Sequence, residues 1–218
     1  MNRKNHEKWW SENLFSGKTE YIHNGNKVKM PSIEEFSESW MGSIFEKDRK
    51  KVRKNFKKYK SLLDVGCGGS PEFYGIQNYK NLKYTGLDIT PEMVEFNVKK
   101  GINCVVGSAN DIPFDDSSFD VVHSRHVIEH MEDFKKPLEE MIRVAKYLVL
   151  IPFFIEPVES GKSIKFLTDE DTEFEIYHNH YSKTEISEVL NSNAKVKSFK
   201  YSKLQGQSTS LLKIKLAK

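Results

Sequence analysis

The sequence has few cysteines and no long apolar run. Its 218 residues include only Cys67 and Cys104, which lie far apart in the chain and match neither a metal-binding nor a redox spacing. No apolar run approaches the roughly 20 residues that cross a bilayer. Residues 1–6 are polar and no apolar stretch follows them, so we expect no secretory signal. The reducing cytoplasm is the simplest compartment for such a chain.

Charge is plentiful but unevenly distributed. Apolar residues make up 38% of the chain, the mean hydropathy is −0.60 and the net charge is +3, which together predict a soluble protein. Residues 47–60 hold nine basic residues and one acid. Such a run can be a docking surface for nucleic acid or anionic lipid. We favour the other interpretation, a solvated helix face with Val52, Phe56 and Tyr59 packed inward.

The first 60 residues are expected to form a helical cap or lid ahead of the main domain. Ser32 and Glu35 have the spacing of a capping box, and apolar residues follow at helical spacing, which predicts a long helix over about residues 32–58. The aromatic residues of this part, Tyr21 among them, either close over a site or pack the added helices onto the domain. In the first case Tyr21 would belong to the wall of an acceptor pocket.

From residue 61 to residue 218, short apolar segments alternate with helical patterns. This alternation predicts an α/β fold, a Rossmann-like, doubly wound and mostly parallel seven-stranded sheet. Helices are expected from Thr90, over Pro137–Ala145 and from Ser182 to Leu190. The last two strand candidates are neighbours in sequence, which favours an antiparallel C-terminal hairpin at the sheet edge. The predicted strands cover residues 61–65, 83–87, 102–106, 119–123, 146–151, 195–202 and 210–216.

A glycine-rich turn ends the first of these strands. Gly66 and Gly68 permit a sharp turn and a close approach of the backbone to a ligand. Asp88 ends the next strand, where an acid can accept hydrogen bonds from ribose hydroxyls. A dinucleotide fingerprint needs its third glycine where Pro71 stands, so that fingerprint fails. S-adenosylmethionine has no pyrophosphate, and Asp64 can help to hold its cationic amino end, directly or through water.

Four segments, residues 63–69, 87–89, 106–114 and 119–124, resemble the class I S-adenosylmethionine-dependent methyltransferases, especially the type-11 group. The glycine turn alone would be weak evidence, but the four segments in this order and spacing are specific. The resemblance implies S-adenosylmethionine as the cofactor. It also implies cofactor contacts by Asp64, Gly66, Cys67, Gly68, Asp88, Ile89, Ser108, Ala109, Asn110 and Ser124.

Two positions depart from the family pattern. Ser70 stands where a third glycine is usual. Ser108 stands where the family often has an acid that meets the adenine amino group, so Ser108 would offer a weaker hydrogen bond there, or Asp111 would partly substitute.

Two histidines are candidates for a general base. Methyl transfer from a sulfonium depends mostly on positioning, and a base is needed only if the acceptor atom carries a proton. His126 is the better placed, because it follows the fourth strand by a few residues and histidine titrates near neutral pH. His130, beside Glu129 and one turn further on, is the second candidate. Its alternative role is to cap or pack the helix start.

A second polar segment lies between the fifth strand and the helix that begins near Ser182. The resemblance places this segment in the acceptor wall, through His178, His180 and Tyr181. Alternate histidines in an extended segment point the same way and could ligate a metal. No further Cys, His or acid cluster has zinc spacing, so we prefer a wall or a polar loop and expect no metal.

Three functions remain open at this point. The leading hypothesis is an enzyme that methylates an oxygen or nitrogen of a small molecule, such as a sugar or another biosynthetic intermediate. The second is a methyltransferase for RNA or protein that docks through residues 47–60. Nucleic acid is not favoured, because the Asn/Asp-Pro-Pro-Tyr motif of base-amino methyltransferases is absent after the fourth strand. The third is a cofactor-binding partner without catalysis. The acceptor atom and the oligomeric state stay open.

Overall fold

The computed structural model describes residues 20–23, 26–29, 32–41, 44, 46–164, 167–168 and 176–217. The helices are α1 Ile33–Met41, α2 Lys47–Arg53, α3 Pro71–Gly75, α4 Pro91–Lys99, α5 Lys135–Val144 and α6 Lys183–Ser192, with a 3₁₀ turn at Ile128–His130. The strands are β1 Glu20–His23, β2 Asn26–Lys29, β3 Ser61–Val65, β4 Lys83–Asp88, β5 Cys104–Val106, β6 Phe119–Ser124, β7 Ala145–Phe153, β8 Leu167–Thr168, β9 Ile176–Tyr177, β10 Val196–Lys203 and β11 Ser210–Leu216.

Seven strands form one mixed sheet in the order β10-β11-β7-β6-β3-β4-β5. The five strands from β7 to β5 run parallel, whereas β11 is antiparallel to both β7 and β10. The predicted seven-stranded doubly wound sheet with an antiparallel C-terminal hairpin is therefore confirmed. The order reverses between β3 and β6, and an open parallel sheet binds its ligand beyond the strand ends at such a reversal.

The central strands carry buried apolar residues on both sides because both faces of the sheet are covered. On β3, Leu62 and Leu63 are both fully buried but belong to different clusters on opposite faces. Leu63 shares its cluster with residues of α5 and α6. Leu62 shares the other cluster with Val52 and Phe56, which confirms that these two residues of the basic run pack inward. This arrangement explains why the strands show unbroken apolar runs rather than alternation.

The N-terminal helix prediction is correct at its start and wrong in its length. Ser32 and Glu35 form the predicted capping box, with Glu35 N–H donating to Ser32 Oγ over 3.1 Å and Ser32 N–H donating to the Glu35 carboxylate over 2.8 Å. The predicted single helix over residues 32–58 is instead α1 and α2, separated by a segment in which Glu46 is extended (φ −61°, ψ 149°). Because of this break, α2 can direct its own buried side chains into the domain. The burial of these side chains offsets the helical hydrogen bonds that are lost between the two helices.

The first turn of α3 is tied to α2 by buried charges. Glu72 is 2% exposed and its two carboxylate oxygens accept hydrogen bonds from Arg49 and Arg53, which are also buried. His123 and the two guanidiniums together hold the pKa of Glu72 below its usual range although burial acts in the opposite direction. The division at residue 60 into cap and main domain stays a prediction, but α2 packs directly against the core.

Replacing Glu72 with glutamine should destabilise the protein by about 3 kcal/mol, because two buried guanidiniums then lose the carboxylate that accepts their hydrogen bonds. The free energy of unfolding in urea measures the effect. Glu92→Gln is the matched control, since Glu92 lies on the exposed side of α4. A loss below about 1 kcal/mol for Glu72→Gln would show that the cluster is not needed for stability.

Candidate active site

The glycine turn after β3 is held against the end of β4. Gly66 (φ 68°) and Gly68 (φ 51°) both adopt the left-handed conformation that favours glycine. The N–H groups of Gly66 and Cys67 both donate to the Leu87 carbonyl, over 2.7 and 3.1 Å. A Cβ at Gly68 would meet no atom within 4 Å, so open space lies above this part of the turn.

Asp88 joins the glycine turn to the start of α4. Its carboxylate accepts hydrogen bonds from Gly68 N–H over 2.8 Å and from Thr90 N–H over 3.0 Å. Burial raises the pKa of Asp88, and these two backbone N–H groups oppose the rise. The side chains of Asp88 and Ile89 are both half-buried at the strand end, where a ligand can reach them.

Asp64, a predicted contact of the cofactor amino group, is more deeply buried than that role requires. It is 3% exposed, and its carboxylate accepts from His123 Nδ1–H over 2.7 Å and from the Tyr84 hydroxyl over 2.9 Å. These hydrogen bonds hold the end of β3 in place, immediately before the glycine turn. A contact between Asp64 and a cofactor amino group stays a prediction.

Cys67 faces the other cysteine of the chain. The two sulfur atoms lie 3.4 Å apart and both thiols are free and buried. The contact with Cys104 and the burial raise the pKa of the Cys67 thiol well above its usual value. Asn97 Nδ2 donates to the Gly68 carbonyl over 2.7 Å, so α4 supports the same turn.

The predicted adenine-contacting residues lie beyond the end of β5. Ser108 Oγ accepts a hydrogen bond from Asn110 N–H over 3.1 Å, which closes a tight local turn, and Ala109 is buried. Ser124 ends β6 and is fully buried, and its hydroxyl has no hydrogen-bond partner among the described residues. Contacts of these residues with adenine or cofactor stay predictions.

His126 occupies a strained and enclosed position. It has a positive φ of 58°, and its Nε2 pairs with Ser208 Oγ over 2.9 Å. Burial, together with the nearby Arg125 and Arg49, lowers the pKa of His126 to about 2. A histidine with so low a pKa is a weak proton acceptor at neutral pH, so the structure gives the predicted base an unfavourable environment.

His130 lies in a cluster of rings on the same side. Its Nδ1–H donates to the Tyr177 carbonyl over 2.8 Å, which leaves the basic lone pair on Nε2. The His130 ring stacks on Phe154 with centroids 5.2 Å apart and meets the ring of His178 at 5.0 Å. The structure thus brings His130 and His178 together. Phe154, which sequence reasoning missed, is the third ring of this cluster, since it also contacts His178 at 5.9 Å.

The other predicted wall residues are placed differently. His180 Nδ1 donates to the Glu156 carbonyl over 3.2 Å. Tyr181 is 2% exposed, packs against Phe134 and donates its hydroxyl to the Met131 carbonyl. Tyr181 is therefore a core residue, in contrast to the predicted wall position. Tyr21 lies in β1, and its side chain is outside the described part of the chain.

Asp48 and Arg125 form an ion pair that sequence reasoning missed. Asp48 Oδ2 accepts from Arg125 Nη2 over 2.8 Å and from Ser208 N–H over 3.1 Å. Burial alone would raise the pKa of Asp48, but the Arg125 guanidinium and the Ser208 and Arg49 N–H groups lower it to about 2. Helical spacing could have found this pair, because Asp48 lies four residues before Val52 on the inward face of α2.

Glu129 is a buried acid beside the ring cluster. Its Oε1 accepts from Phe154 N–H over 2.9 Å, whereas its Oε2 is buried and has no hydrogen-bond partner in the described part of the chain. Burial raises the pKa of Glu129 to about 7. The carboxyl therefore anchors the segment after β7 that carries Phe154.

Two kinds of feature are absent from the described residues. No group of three or more His, Cys, Asp or Glu side chains there could hold a metal ion. None of the described helices combines the length and apolar character that a bilayer crossing demands.

Residues 63–148 match the family model described as a methyltransferase domain. The chain is 35% identical over 97 residues to ajmaline N-methyltransferase of Rauvolfia serpentina, covering 41% of this chain and 33% of that protein. It is 34% identical over 92 residues to a phthiotriol/phenolphthiotriol dimycocerosates methyltransferase of Mycobacterium tuberculosis strain H37Rv, covering 40% and 34%. The chain thus spans about a third of the length of these curated relatives.

A solved structure shows the same fold. A SAM-dependent methyltransferase from Aquifex aeolicus superposes with a TM-score of 0.53 at 22% identity, covering 82% of this chain and 98% of that one. The sheet order and the glycine turn are those expected of the class I S-adenosylmethionine-dependent methyltransferases, and the Aquifex protein shares this fold. Residues 63–148 match the methyltransferase-domain model, and the cofactor of this class is S-adenosylmethionine.

The residues at the carboxyl ends of the strands fit this cofactor. The open space above Gly68 gives room for a ligand next to a bare backbone. Asp88 offers half-buried carboxylate oxygens at the strand end, where ribose hydroxyls can donate to them. The buried Ser124 hydroxyl, which has no hydrogen-bond partner among the described residues, adds a polar contact at the end of β6.

Asp88→Ala should weaken the binding of S-adenosylmethionine tenfold or more, because a hydrogen bond to a charged group contributes about 1.5–3 kcal/mol. Calorimetric titration with the cofactor and with its demethylated product measures this. Asp115→Ala serves as the control, since Asp115 is exposed and carries no predicted cofactor contact. Equal affinities for wild type and Asp88→Ala, both folded, would contradict the assignment of Asp88.

Glu129→Gln should make the protein relatively more stable as the pH rises. The folded state keeps the Glu129 proton up to about pH 7, whereas the unfolded state loses it near the usual value, 4.5. Wild-type stability therefore falls as the pH rises through 7, and the glutamine variant escapes this loss. The stability difference between the two should grow by about 2 kcal/mol between about pH 5 and pH 8 in urea unfolding. A difference that does not change with pH would contradict the raised pKa.

Proposed function

We propose that the protein transfers a methyl group from S-adenosylmethionine to an oxygen or nitrogen of a small-molecule acceptor. The observation that carries the proposal is the contact between the glycine turn and the loop after β6. A Cβ at Gly66 would lie 2.3 Å from a methyl of Val127, so the two loops touch. Val127 lies between His126 and His130 in this loop, so the glycine turn is close to both histidines.

Positioning is the main contribution that we assign to the protein. When bound, S-adenosylmethionine supplies a methyl group activated by the neighbouring sulfonium. The rings of His130, Phe154 and His178 form a rigid surface at the carboxyl end of the sheet. An acceptor lying on this surface would be held next to the glycine turn, and fixed orientation of two reactants contributes strongly to rate.

His130 is the side chain that we assign to proton removal. Its Nδ1–H is committed to the Tyr177 carbonyl, so Nε2 is the atom that can accept a proton from an acceptor hydroxyl or amine. His126 has the opposite environment, because its Nε2 is engaged by Ser208 and its pKa is lowered to about 2. We therefore assign His126 to holding the loop and not to accepting the proton.

The relatives support the general class of acceptor. One is named ajmaline N-methyltransferase and another phthiotriol/phenolphthiotriol dimycocerosates methyltransferase, so neither name describes an RNA or protein acceptor. A panel of small hydroxyl and amine compounds, incubated with the protein and S-adenosylmethionine, tests the proposal by mass spectrometry of methylated products. Cofactor binding without any methylated product would favour a cofactor-binding partner without catalysis.

His130→Asn should lower kcat/KM by about 10²–10⁴ for an acceptor whose reacting atom carries a proton, with cofactor affinity unchanged. His126→Asn should have a much smaller effect, since asparagine tolerates the positive φ at that position. The matched control is His180→Asn, at a histidine whose Nδ1 donates to the backbone carbonyl of Glu156. If His126→Asn proves the more damaging variant and His130→Asn stays within about threefold of wild type, the assignment is wrong.

A further inference from the structure

Two segments that are far apart in sequence form one basic surface. Lys51 Nζ donates to the Lys203 carbonyl over 2.9 Å, and Lys213 Nζ donates to Asn55 Oδ1 over 2.5 Å, so the segment after α2 lies along β10 and β11. We call this surface the basic face. It comprises Lys51, Lys58, Lys146, Lys200, Lys203, Lys213 and Lys215.

Two stacked tyrosines connect the outer part of the basic face. The rings of Tyr59 and Tyr147 lie 6.0 Å apart. Lys58 lies over the Tyr59 ring at 5.0 Å and Lys146 lies over the Tyr147 ring at 5.1 Å. The lysines of the basic run, of β7 and of the terminal hairpin therefore belong to one continuous patch.

Like charges oppose each other directly within the face. Lys200 and Lys213 are register partners on the antiparallel pair β10 and β11. Like charges at such positions destabilise a sheet. Partial burial lowers the pKa of Lys213, and the neighbouring Lys215, Lys200 and Lys58 lower it further.

No acid compensates this charge within the described residues. None of the seven lysines has a carboxylate oxygen within 4.0 Å there. The only acid of the basic run, Asp48, is buried against Arg125. A concentrated surface charge of one sign attracts a partner of the opposite sign and speeds its association.

We propose that the basic face binds the phosphate backbone of nucleic acid without reading its bases. Lys213 and Lys215 project from the same side of β11 roughly 7 Å apart, so each can contact a separate phosphate. A membrane is the less suitable partner, because membrane-surface binding combines basic residues with inserted apolar side chains. The large hydrophobic side chains that are exposed among the described residues, Val98, Val106 and Ile164, are not part of this face.

The face approaches the candidate active site at one end. Lys203 ends β10, and the following turn reaches His126 through Ser208. Bound nucleic acid would therefore lie along the side of the domain and end near the acceptor loop. This inference concerns docking and does not depend on the identity of the acceptor.

The test is fluorescence anisotropy with a labelled, mixed-sequence single-stranded RNA of about 20 nucleotides, titrated at several KCl concentrations. Wild type should bind with an affinity that falls steeply with salt. The triple variant Lys58→Gln, Lys200→Gln, Lys215→Gln should bind at least tenfold more weakly at low salt. Its salt slope should be smaller by about 2, because each lost phosphate contact on a single strand contributes about 0.7.

A second triple variant, Lys99→Gln, Lys100→Gln, Lys162→Gln, is the matched control. It removes the same charge from exposed positions outside the basic face and should bind RNA like wild type. Thermal unfolding checks that both variants fold. The lysines replaced in the basic face are exposed, so their loss should not destabilise the protein. Calorimetry should show unchanged S-adenosylmethionine affinity in both variants, which keeps this test separate from the proposed function.

Three results would overturn the inference. The first is a folded wild type that does not bind the RNA at low salt. The second is an equal loss of binding in both triple variants, which would show that only net charge matters. The third is binding to phosphatidylserine vesicles without binding to RNA, which would make a membrane the partner of the face.

Discussion

Three separate parts of the chain meet at the carboxylate of Asp48. It accepts hydrogen bonds from Arg125 at the end of β6 and from Ser208 in the terminal hairpin, while its own helix α2 supplies Arg49 N–H. A charged group so deeply buried is tolerated only when it is paired and bonded in this way. Because Ser208 in turn engages His126, the position of the loop after β6 depends on this one acid. The terminal hairpin is held at the same point, and with it one half of the basic face.

A steric constraint links the glycine turn to the loop after β6. Gly66 lies so close to Val127 that any Cβ there would overlap its side chain. The same glycine donates its N–H to the Leu87 carbonyl, next to Asp88. The turn therefore has little freedom to move without disturbing either neighbour. The proposed cofactor binding at Asp88 and the proposed acceptor positioning near His130 would both depend on this one packed junction.

Particular elements show where sequence reasoning succeeded and where it failed. Strands β3, β4, β6 and β7 were predictable because a strand that is buried on both faces of a sheet carries a run of apolar residues. The break between α1 and α2 was not, because the apolar spacing continues across it, whereas the contacts that hold α2, such as those with Glu72, come from a distant part of the chain. Likewise, the pattern placed His126 and His130 in one loop, but burial and partners separate their roles. The sequence predicts Tyr181 as a wall residue, because an aromatic residue in a polar segment gives no indication of how deeply its side chain is buried.

The sequence by itself determined the doubly wound sheet, the terminal hairpin and the glycine turn followed by an acid, because these depend on local spacing and on burial along each strand. Only the tertiary structure decided which charged and polar groups meet. Cys67 and Cys104 are 37 residues apart, yet their sulfur atoms touch across Gly86. The lysines of the basic run and of the hairpin come together only when β11 pairs with β7. Such contacts between distant segments leave no periodic trace in the sequence, since they are fixed by how the elements pack and not by their local spacing.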